Sequence, residues 1–427
     1  MTNEKASKAE IKRIQWLELQ KQLLYLQRNS VFYQEVFRNN GIDISRIKNY
    51  LDFKRIPITR KEDLQQQNEK FLCVPKSEII DYVTTSGTLG EPVSLALNDH
   101  DLERLATNEM NSFKMVGVEQ SDTVQITTTL DRRFMAGIAY FLGLRKLGAA
   151  VVRAGSGVPQ LQWDSIARFK PKFLVAVPSF LLKMIEYAEA NSIAMDSTSV
   201  KAVICIGEPI RNKENELNAL GAKIHSKWQV ELFSTYASTE MATAFTECNL
   251  HCGNHLQPDL IYTEILNEEG EPVKEGEIGE LVFTSLQTQT MPLLRFATGD
   301  MLAYTSESCG CGRNTLRLSP VMGRKQQMIK LKGTSLYPQH IINVMNENRE
   351  VADFIIEVRT GEHNLDKILI KIPTTISDEK LHLLKADFQG KLQVLPDFIK
   401  VPEQEIQMLK FDKSKRKPSI FIDLRVH

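Results

Sequence analysis

The segment Thr84-Thr85-Ser86-Gly87-Thr88-Leu89-Gly90 sets four hydroxyl side chains and two glycines within seven positions, directly behind the β-prone stretch Ile79–Thr84. Backbone N–H groups and hydroxyls of this kind wrap oligophosphate oxygens, and glycine permits the close approach and the unusual dihedrals that wrapping needs. No Lys-Ser/Thr pair follows the second glycine, so this is a different cradle from the G-x-x-x-x-G-K-[ST] loop. A second cluster could hold a metal. Cys248, His251, Cys252 and His255 lie within eight residues, and Cys309-x-Cys311 follows about sixty residues on. Two Cys/His groups that flank a β-rich segment can close one tetrahedral Zn²⁺, and four closed ligands make such a site structural. A third candidate is the basic run Lys413-Ser414-Lys415-Arg416-Lys417, which offers cations for an anionic substrate.

Positioning these groups requires a framework, and the middle of the chain supplies one by alternation. Strands are expected at Val124–Thr128, Ala149–Arg153, Phe173–Val177, Ala202–Ile206 and Val230–Tyr236. Helices are expected between them at Met135–Leu147, Leu161–Phe169, Phe180–Asn191 and Arg211–Leu220. Strand and helix in turn mean βαβ units and a doubly wound, largely parallel sheet. Helical spacing of apolar residues marks residues 7–40, and helix starts are expected at Thr59, with Glu62 as its box partner, and at Asp99. After residue 240, Ile261–Leu266 and Glu280–Ser285 flank the turn Glu268–Pro272, which reads as appended antiparallel strands.

Bulk properties narrow the function. At 427 residues the chain exceeds one ordinary core, so at least two domains are expected. Lys plus Arg equals Asp plus Glu at 53 each, which argues against a general nucleic-acid or membrane-surface binder. No apolar run is long enough to span a bilayer, and Met1–Arg13 is polar, so neither a membrane anchor nor a secretory signal is expected. A cytoplasmic location follows, in which six cysteines are expected as thiols rather than disulfides. Cys73 and Cys205 read as apolar fillers.

The motifs together resemble the adenylate-forming superfamily and, within it, the phenylacetate–CoA ligase-like family. Tyr82–Pro92 looks like its phosphate loop. In the family's order follow Gly207-Glu208-Pro209, Tyr236-Ala237-Ser238-Thr239-Glu240, Arg295-Phe296-Ala297-Thr298-Gly299-Asp300, and Gly323-Arg324 ahead of Met328–Gly333. The early stretch Asn29–Tyr33 also matches. The resemblance implies an α/β adenylating domain over residues 1–323 and a smaller mobile α+β domain over 324–427. It implies an enzyme that joins ATP and a carboxylic acid into an acyl-adenylate and passes the acyl group to CoA. A carrier-protein thiol or a cofactor hydroxyl is an alternative acceptor, and a nucleotide-binding protein with decayed catalysis is an alternative class.

By the same resemblance Thr85, Ser86, Gly87, Thr88 and Gly90 hold phosphates, Thr239 touches the α-phosphate and Glu240 binds Mg²⁺. Gly207, Glu208, Pro209, Tyr236, Ala237 and Ser238 form the adenine side. Asp300 accepts the ribose hydroxyls, and Arg324 grips ribose or phosphate oxygens. Lys417 falls at the family's C-terminal catalytic lysine, with Lys415 a competitor, because Arg416 and Ile420 depart from the pattern around it. Glu91 stands where the family has Lys, and Gln326 and Gln327 replace an acidic pair at the hinge. The implied zinc ligands are Cys248, His255, Cys309 and Cys311, with Cys252 as substitute. The acyl pocket is expected between Leu130–Tyr140 and Val203–Gly207, where Phe134, Met135, Ile138 and Tyr140 favour an apolar or aryl acid. A homodimer is also expected.

Overall fold

A computed structural model describes residues 3–85, 92–331, 334–348, 351, 353–360, 366–411 and 420–425. The chain forms two compact units, Met1–Thr298 with Leu302–Pro320, and Gly299–Met301 with Val321–His427.

The first unit opens with helices α1 (Lys8–Asn29), α2 (Val31–Asn39), α3 (Tyr50–Phe53) and α4 (Lys61–Gln66). Ser30 ends α1 and caps α2, accepting the Tyr33 N–H. The start of α4 differs from expectation. Asp63 accepts the Arg60 N–H and closes the box there, whereas Thr59 is buried and donates its hydroxyl to the Leu294 carbonyl at 2.8 Å. A long-range bond has taken the side chain that a local reading assigned to a cap.

Strands β1 (Asp81–Thr84) and β2 (Ser94–Leu97) pair antiparallel across the glycine-bearing segment, with Thr84 opposite Ser94. Then come α5 (Asp99–Met115), β3 (Thr123–Ile126), α6 (Met135–Leu147), β4 (Ala150–Arg153), α7 (Pro159–Phe169), β5 (Phe173–Ala176), α8 (Pro178–Ala190), β6 (Ala202–Cys205), α9 (Ala219–Lys227), β7 (Glu231–Ser238), β8 (Thr243–Glu247) and β9 (Asn254–His255). The cap of α5 is Asn98, one residue before the expected Asp99, and it accepts the Asp101 N–H. The helix expected over Arg211–Leu220 begins only at Ala219. Asn212 accepts the amides of Glu214 and Glu216 in a local turn, and Asn218 then caps α9 through the Gly221 N–H.

β10 (Ile261–Leu266), β11 (Gly279–Ser285) and β12 (Phe296–Leu302) follow, then β13 (Tyr304–Thr305) and β14 (Arg317–Leu318). Among the described residues the main sheet runs β13-β14-β9-β8-β7-β6-β5-β3-β4. Strands β7, β6, β5, β3 and β4 are parallel, and β8, β9, β14 and β13 extend the sheet antiparallel. Alternate side chains fill the two faces: Leu174, Ala176, Val203 and Cys205 pack under α7, α8 and α9, while Phe173, Val175, Ala202 and Ile204 pack against residues of α5 and α6. Such burial on both faces makes the doubly wound α/β core that the alternation predicts.

In the second unit Asp300 and Met301 of β12 pair with β15 (Gly323–Arg324), followed by the hairpin β16 (Ile329–Leu331) and β17 (Thr334–Leu336). Beyond lie α10 (Pro338–Glu347), β18 (Ile355–Thr360), β19 (Asp366–Pro373), α11 (Asp378–Leu392), β20 (Asp397–Val401), α12 (Glu403–Lys410) and β21 (Phe421–Asp423). The sheet order is β20-β19-β18-β21. α10 and α11 cover one face through Ile341, Val344, Leu384 and Phe388, and Ile406 of α12 packs on Ile355 and Val401 of the other. Arg425 donates to the carbonyls of Met328 and Gln326 and to Asp423, at 2.7, 3.1 and 2.6 Å, tying the start of this unit to its last strand.

Candidate active site and metal cluster

The carboxyl ends of parallel strands are where α/β sheets bind ligands, above all where the strand order reverses. Here the chain runs from β3 out to β4 and then back past β3 to β5, so the reversal falls between β3 and β5. Gly207-Glu208-Pro209 follows the end of β6, and Tyr236–Glu240 finishes the neighbouring β7. Gly207 adopts φ +74°, a left-handed turn that suits glycine. Glu208 accepts both the N–H and the hydroxyl of Ser179 at 2.8 Å, so its carboxylate stitches this turn to the start of α8. The Pro209 carbonyl accepts from Asn218.

Thr239 and Glu240 lie in the turn between β7 and β8. The Ser238 hydroxyl accepts the Met241 N–H, and Ala242 has φ +45°. A non-glycine residue in this region costs about 1 kcal/mol or more, so something must hold it there. Arg104 of α5 does so. It is 5% exposed and donates to the carbonyls of Ala242, Leu286 and Leu260 at 2.8, 2.7 and 2.5 Å, and to the Thr243 hydroxyl at 3.0 Å. Burial lowers its pKa to about 10, and Asp101 nearby acts in the opposite direction. One helical turn on, Asn108 accepts the Ala244 N–H at 2.9 Å. These contacts go to β8, to the turn and to the flanking residues Leu260 and Leu286, none to Glu240, whose half-buried carboxylate has no partner among the described residues. A free carboxylate on a braced turn suits a hard cation.

The phosphate segment enters this neighbourhood through its stem. The Thr84 N–H donates to the Arg133 carbonyl just before α6, at 3.0 Å. The Thr85 N–H donates to the Val93 carbonyl, and its hydroxyl accepts the Val93 N–H. Ser86, Gly87, Thr88, Gly90 and Glu91 lie outside the described residues, as do Lys415, Arg416 and Lys417. Of the expected acyl-pocket residues, Met135 and Tyr140 are buried, and Tyr140 stacks edge-on against Phe113 in the core; Phe134 and Ile138 are half-buried. In the second unit Asp300 and Arg324 face each other across β12 and β15, with Nε 3.3 Å from the carboxylate.

The Cys/His cluster forms at the other end of the β7–β8 hairpin. Cys248 follows β8, His255 sits in β9, and Cys309 and Cys311 lie between β13 and β14. Their ligand atoms all lie within 4.8 Å of one another. The Cys252 sulfur is 3.4 Å from that of Cys309, which keeps Cys252 beside the set. All six cysteines are free thiols. His255 Nδ1 meets the Thr315 hydroxyl at 2.9 Å, leaving Nε2 to face Cys311 at 3.6 Å. Burial, with Arg313 and Arg317 close by, lowers the His255 pKa to about 3, so the ring is neutral and fit to ligate. Burial pushes Cys311 up, but hydrogen bonds from the Arg313 guanidinium at 3.5 Å and main chain and from Cys309 and Cys248 together outweigh it, and the net shift is downward, toward thiolate. Three soft sulfurs and one imidazole nitrogen match tetrahedral zinc.

The AMP-binding enzyme family model matches residues 38–291, more than half of the chain. The chain belongs to this family. Its curated relatives place it among the adenylate-forming, phenylacetate–CoA ligase-like proteins. Phenylacetate-coenzyme A ligase of Thermus thermophilus is 27% identical over 369 residues, spanning 85% of this chain and 81% of the relative. The protein of the same name from Escherichia coli is 25% identical over 378 residues, or 86% and 84%. In fold, the AMP-binding chain is similar to 2-hydroxyisobutyryl-CoA ligase in the postadenylation state, with TM-score 0.84 and 23% identity over 99% of this chain and 91% of that one.

Missed from the sequence are the braces around this candidate site. Arg104 and Asn108 stand on a buried polar stripe, Asp101-Arg104-Asn108-Ser112, at helical spacing; that stripe was the available signal. Arg211 pairs with buried Glu247, which also accepts the Ser234 N–H at 2.8 Å and contacts His251 at 3.1 Å. Nothing in the local sequence announces that pair.

Proposed function

We propose that this protein activates an apolar or aryl carboxylic acid with Mg²⁺-ATP and transfers the acyl group to CoA. The observation that carries this is the turn at Thr239–Glu240, braced by Arg104 at the carboxyl end of β7 beside Gly207–Pro209 at the end of β6. In the first step a carboxylate oxygen attacks the α-phosphorus and pyrophosphate leaves. In the second the CoA thiol attacks the acyl carbonyl, loses its proton, and AMP leaves. Thr85, Ser86, Gly87, Thr88 and Gly90 would hold phosphates, with Thr239 at the α-phosphate and Glu240 as the Mg²⁺ ligand. Mg²⁺ would neutralise phosphate charge there. Gly207, Glu208, Pro209, Tyr236, Ala237 and Ser238 would bound the adenine, while Asp300 and Arg324 would hold the ribose side. Lys417 would pair with the carboxylate and the α-phosphate. Residues 324–427 would turn between the two steps.

Zn²⁺ would be held by Cys248, His255, Cys309 and Cys311. Six residues of strand at ~3.3 Å each put Cys248 about 20 Å from Ala242, too far to touch a substrate at Glu240, so its role is to pin β8, β9 and β14. Among the described residues no helix is long and apolar enough to cross a membrane, which agrees with a cytoplasmic enzyme, and a homodimer is its proposed assembly.

A panel of aryl and aliphatic acids in a pyrophosphate-release assay tests the reading. Release is expected only with a matching acid and Mg²⁺, and without CoA it should stop near one turnover. Silence across the panel while ATP binds would favour a nucleotide-binding protein without the chemistry. Sustained product without CoA would point to another acceptor. Protein purified without added zinc should carry about one equivalent by metal analysis; less than half would remove the zinc site.

A further inference from the structure

The diphosphate end of ATP needs cations, yet no Lys or Arg occurs from Asp81 through Glu103, and an acid, Glu91, follows the glycine-bearing segment. The structure brings two guanidinium-bearing residues to that segment from elsewhere. Arg132 and Arg133 lie between the end of β3 and the start of α6, and the Arg133 carbonyl accepts the Thr84 N–H at 3.0 Å, at the stem of the phosphate segment. Both have φ +57°. Two successive non-glycine residues in the left-handed region cost about 1 kcal/mol or more each, so the surroundings must fix this conformation. They do so on both sides. The Thr84 bond holds one flank, and on the other Gly137 of α6 packs so tightly on Thr129 and Leu130 that a Cβ there would clash with the main chain.

The charges are available. Both residues are exposed, and Arg133 has no ion-pair partner among the described residues. Among the described residues Arg132 has a single loose ion-pair contact, 3.9 Å to Asp131, and Asp131 is itself bonded by the Thr129 hydroxyl. Two uncommitted guanidinium groups carried on main chain that is bonded to the stem residue Thr84 match a polyphosphate, because a planar fork donates to two phosphate oxygens at once.

We propose that Arg132 and Arg133 bind the β- and γ-phosphates of ATP and hold the pyrophosphate as it leaves, supplying the charge that the segment after β1 lacks. This rests on the adenylation reading above. The pair forms and breaks no bond of its own; its contribution is to neutralise charge on the leaving group.

The test uses the full-length protein with Arg132→Gly, Arg133→Gln and Arg133→Lys, titrated with Mg²⁺-ATP and, separately, with inorganic pyrophosphate. Arg132→Gly suits left-handed backbone and should fold at least as well as the native chain. Loss of one charge-assisted hydrogen bond should weaken pyrophosphate and ATP binding about tenfold or more in Arg132→Gly and Arg133→Gln, with partial recovery in Arg133→Lys. AMP binding should stay unchanged, since it has neither the β- nor the γ-phosphate. Unaltered pyrophosphate binding in both charge-removing variants would overturn the proposal, as would an equal loss for AMP, or an effect confined to the KM of the acid or of CoA. Binding needs no turnover. A native protein that binds Mg²⁺-ATP without acid-dependent chemistry would sink the adenylation reading, while weaker pyrophosphate binding in the variants would still support this one.

Discussion

At its turn the β7–β8 hairpin is held from behind: Arg104 and Asn108 bond main-chain atoms of Ala242 and Ala244, and Arg104 the Thr243 hydroxyl. At its other end the side chains hold one another. Glu247 is shut between Arg211, Ser234 and His251, and Cys248 faces Cys309, Cys311 and His255. The same two strands thus carry an end whose acid has no partner among the described residues and an end where Glu247 and the Cys/His set meet one another. Braces aimed at the backbone fix a position without spending the side chain that stands there. A closed shell of side chains fixes strands and leaves nothing over for a substrate.

Breaking the closed end should cost the most. Glu247→Gln leaves the Arg211 guanidinium buried without its counter-charge, and such losses run to about 3–5 kcal/mol. Urea or thermal unfolding should show a loss of that size, and a change under 1 kcal/mol would mean that the pair is not closed in solution. Breaking the open end should touch chemistry instead of stability. Glu240→Gln should raise the barrier to acid-dependent pyrophosphate release by ~2.7–4 kcal/mol, roughly 10²–10³-fold, at an unchanged melting temperature. A destabilised but active variant would reverse the assignment of the two ends. Arg104→Lys keeps the charge but loses the fork that spans Ala242, Thr243, Leu260 and Leu286. A loss of about 1.5–3 kcal/mol is expected, divided between stability and kcat. Full activity in that variant would show that the turn stands without its brace.

The last effect depends on pH and lies midway along α5. Glu109 is buried with no cation beside it, and burial raises its pKa from the usual 4.5 to about 8. The folded protein therefore binds more protons than the unfolded chain between those values, and stability falls as pH rises through that window. Glu109→Gln should flatten this dependence, gaining stability relative to the native chain above pH 8 and little near pH 5. An equal difference at both pH values would mean that the carboxyl is solvated.

The sequence made the parallel core legible because each βα unit carries its own periodicity: Met135–Leu147 and Ala202–Cys205 are set by apolar spacing alone. What escaped it were elements decided at a distance or by one polar side chain. Thr59 was drawn to Leu294, and Asn212 turned the chain where a helix was expected. The two-residue strands β9 and β14 exist through pairing with each other and with β8 and β13. In the candidate site, Gly207–Pro209 and Tyr236–Glu240 could be read as motifs, since each is contiguous. The braces could not, because Arg104 lies 138 residues from Ala242 and Arg211 lies 36 from Glu247.

The Glu240 end is proposed to assemble an acyl-adenylate, and a single-turnover reaction without CoA, quenched and read by mass spectrometry, tests this directly. One equivalent of acyl-adenylate and of pyrophosphate is expected, dependent on Mg²⁺ and on the acid, converted to thioester and AMP when CoA is added. ADP and inorganic phosphate in their place, or AMP formed at the same rate with no acid present, would contradict it.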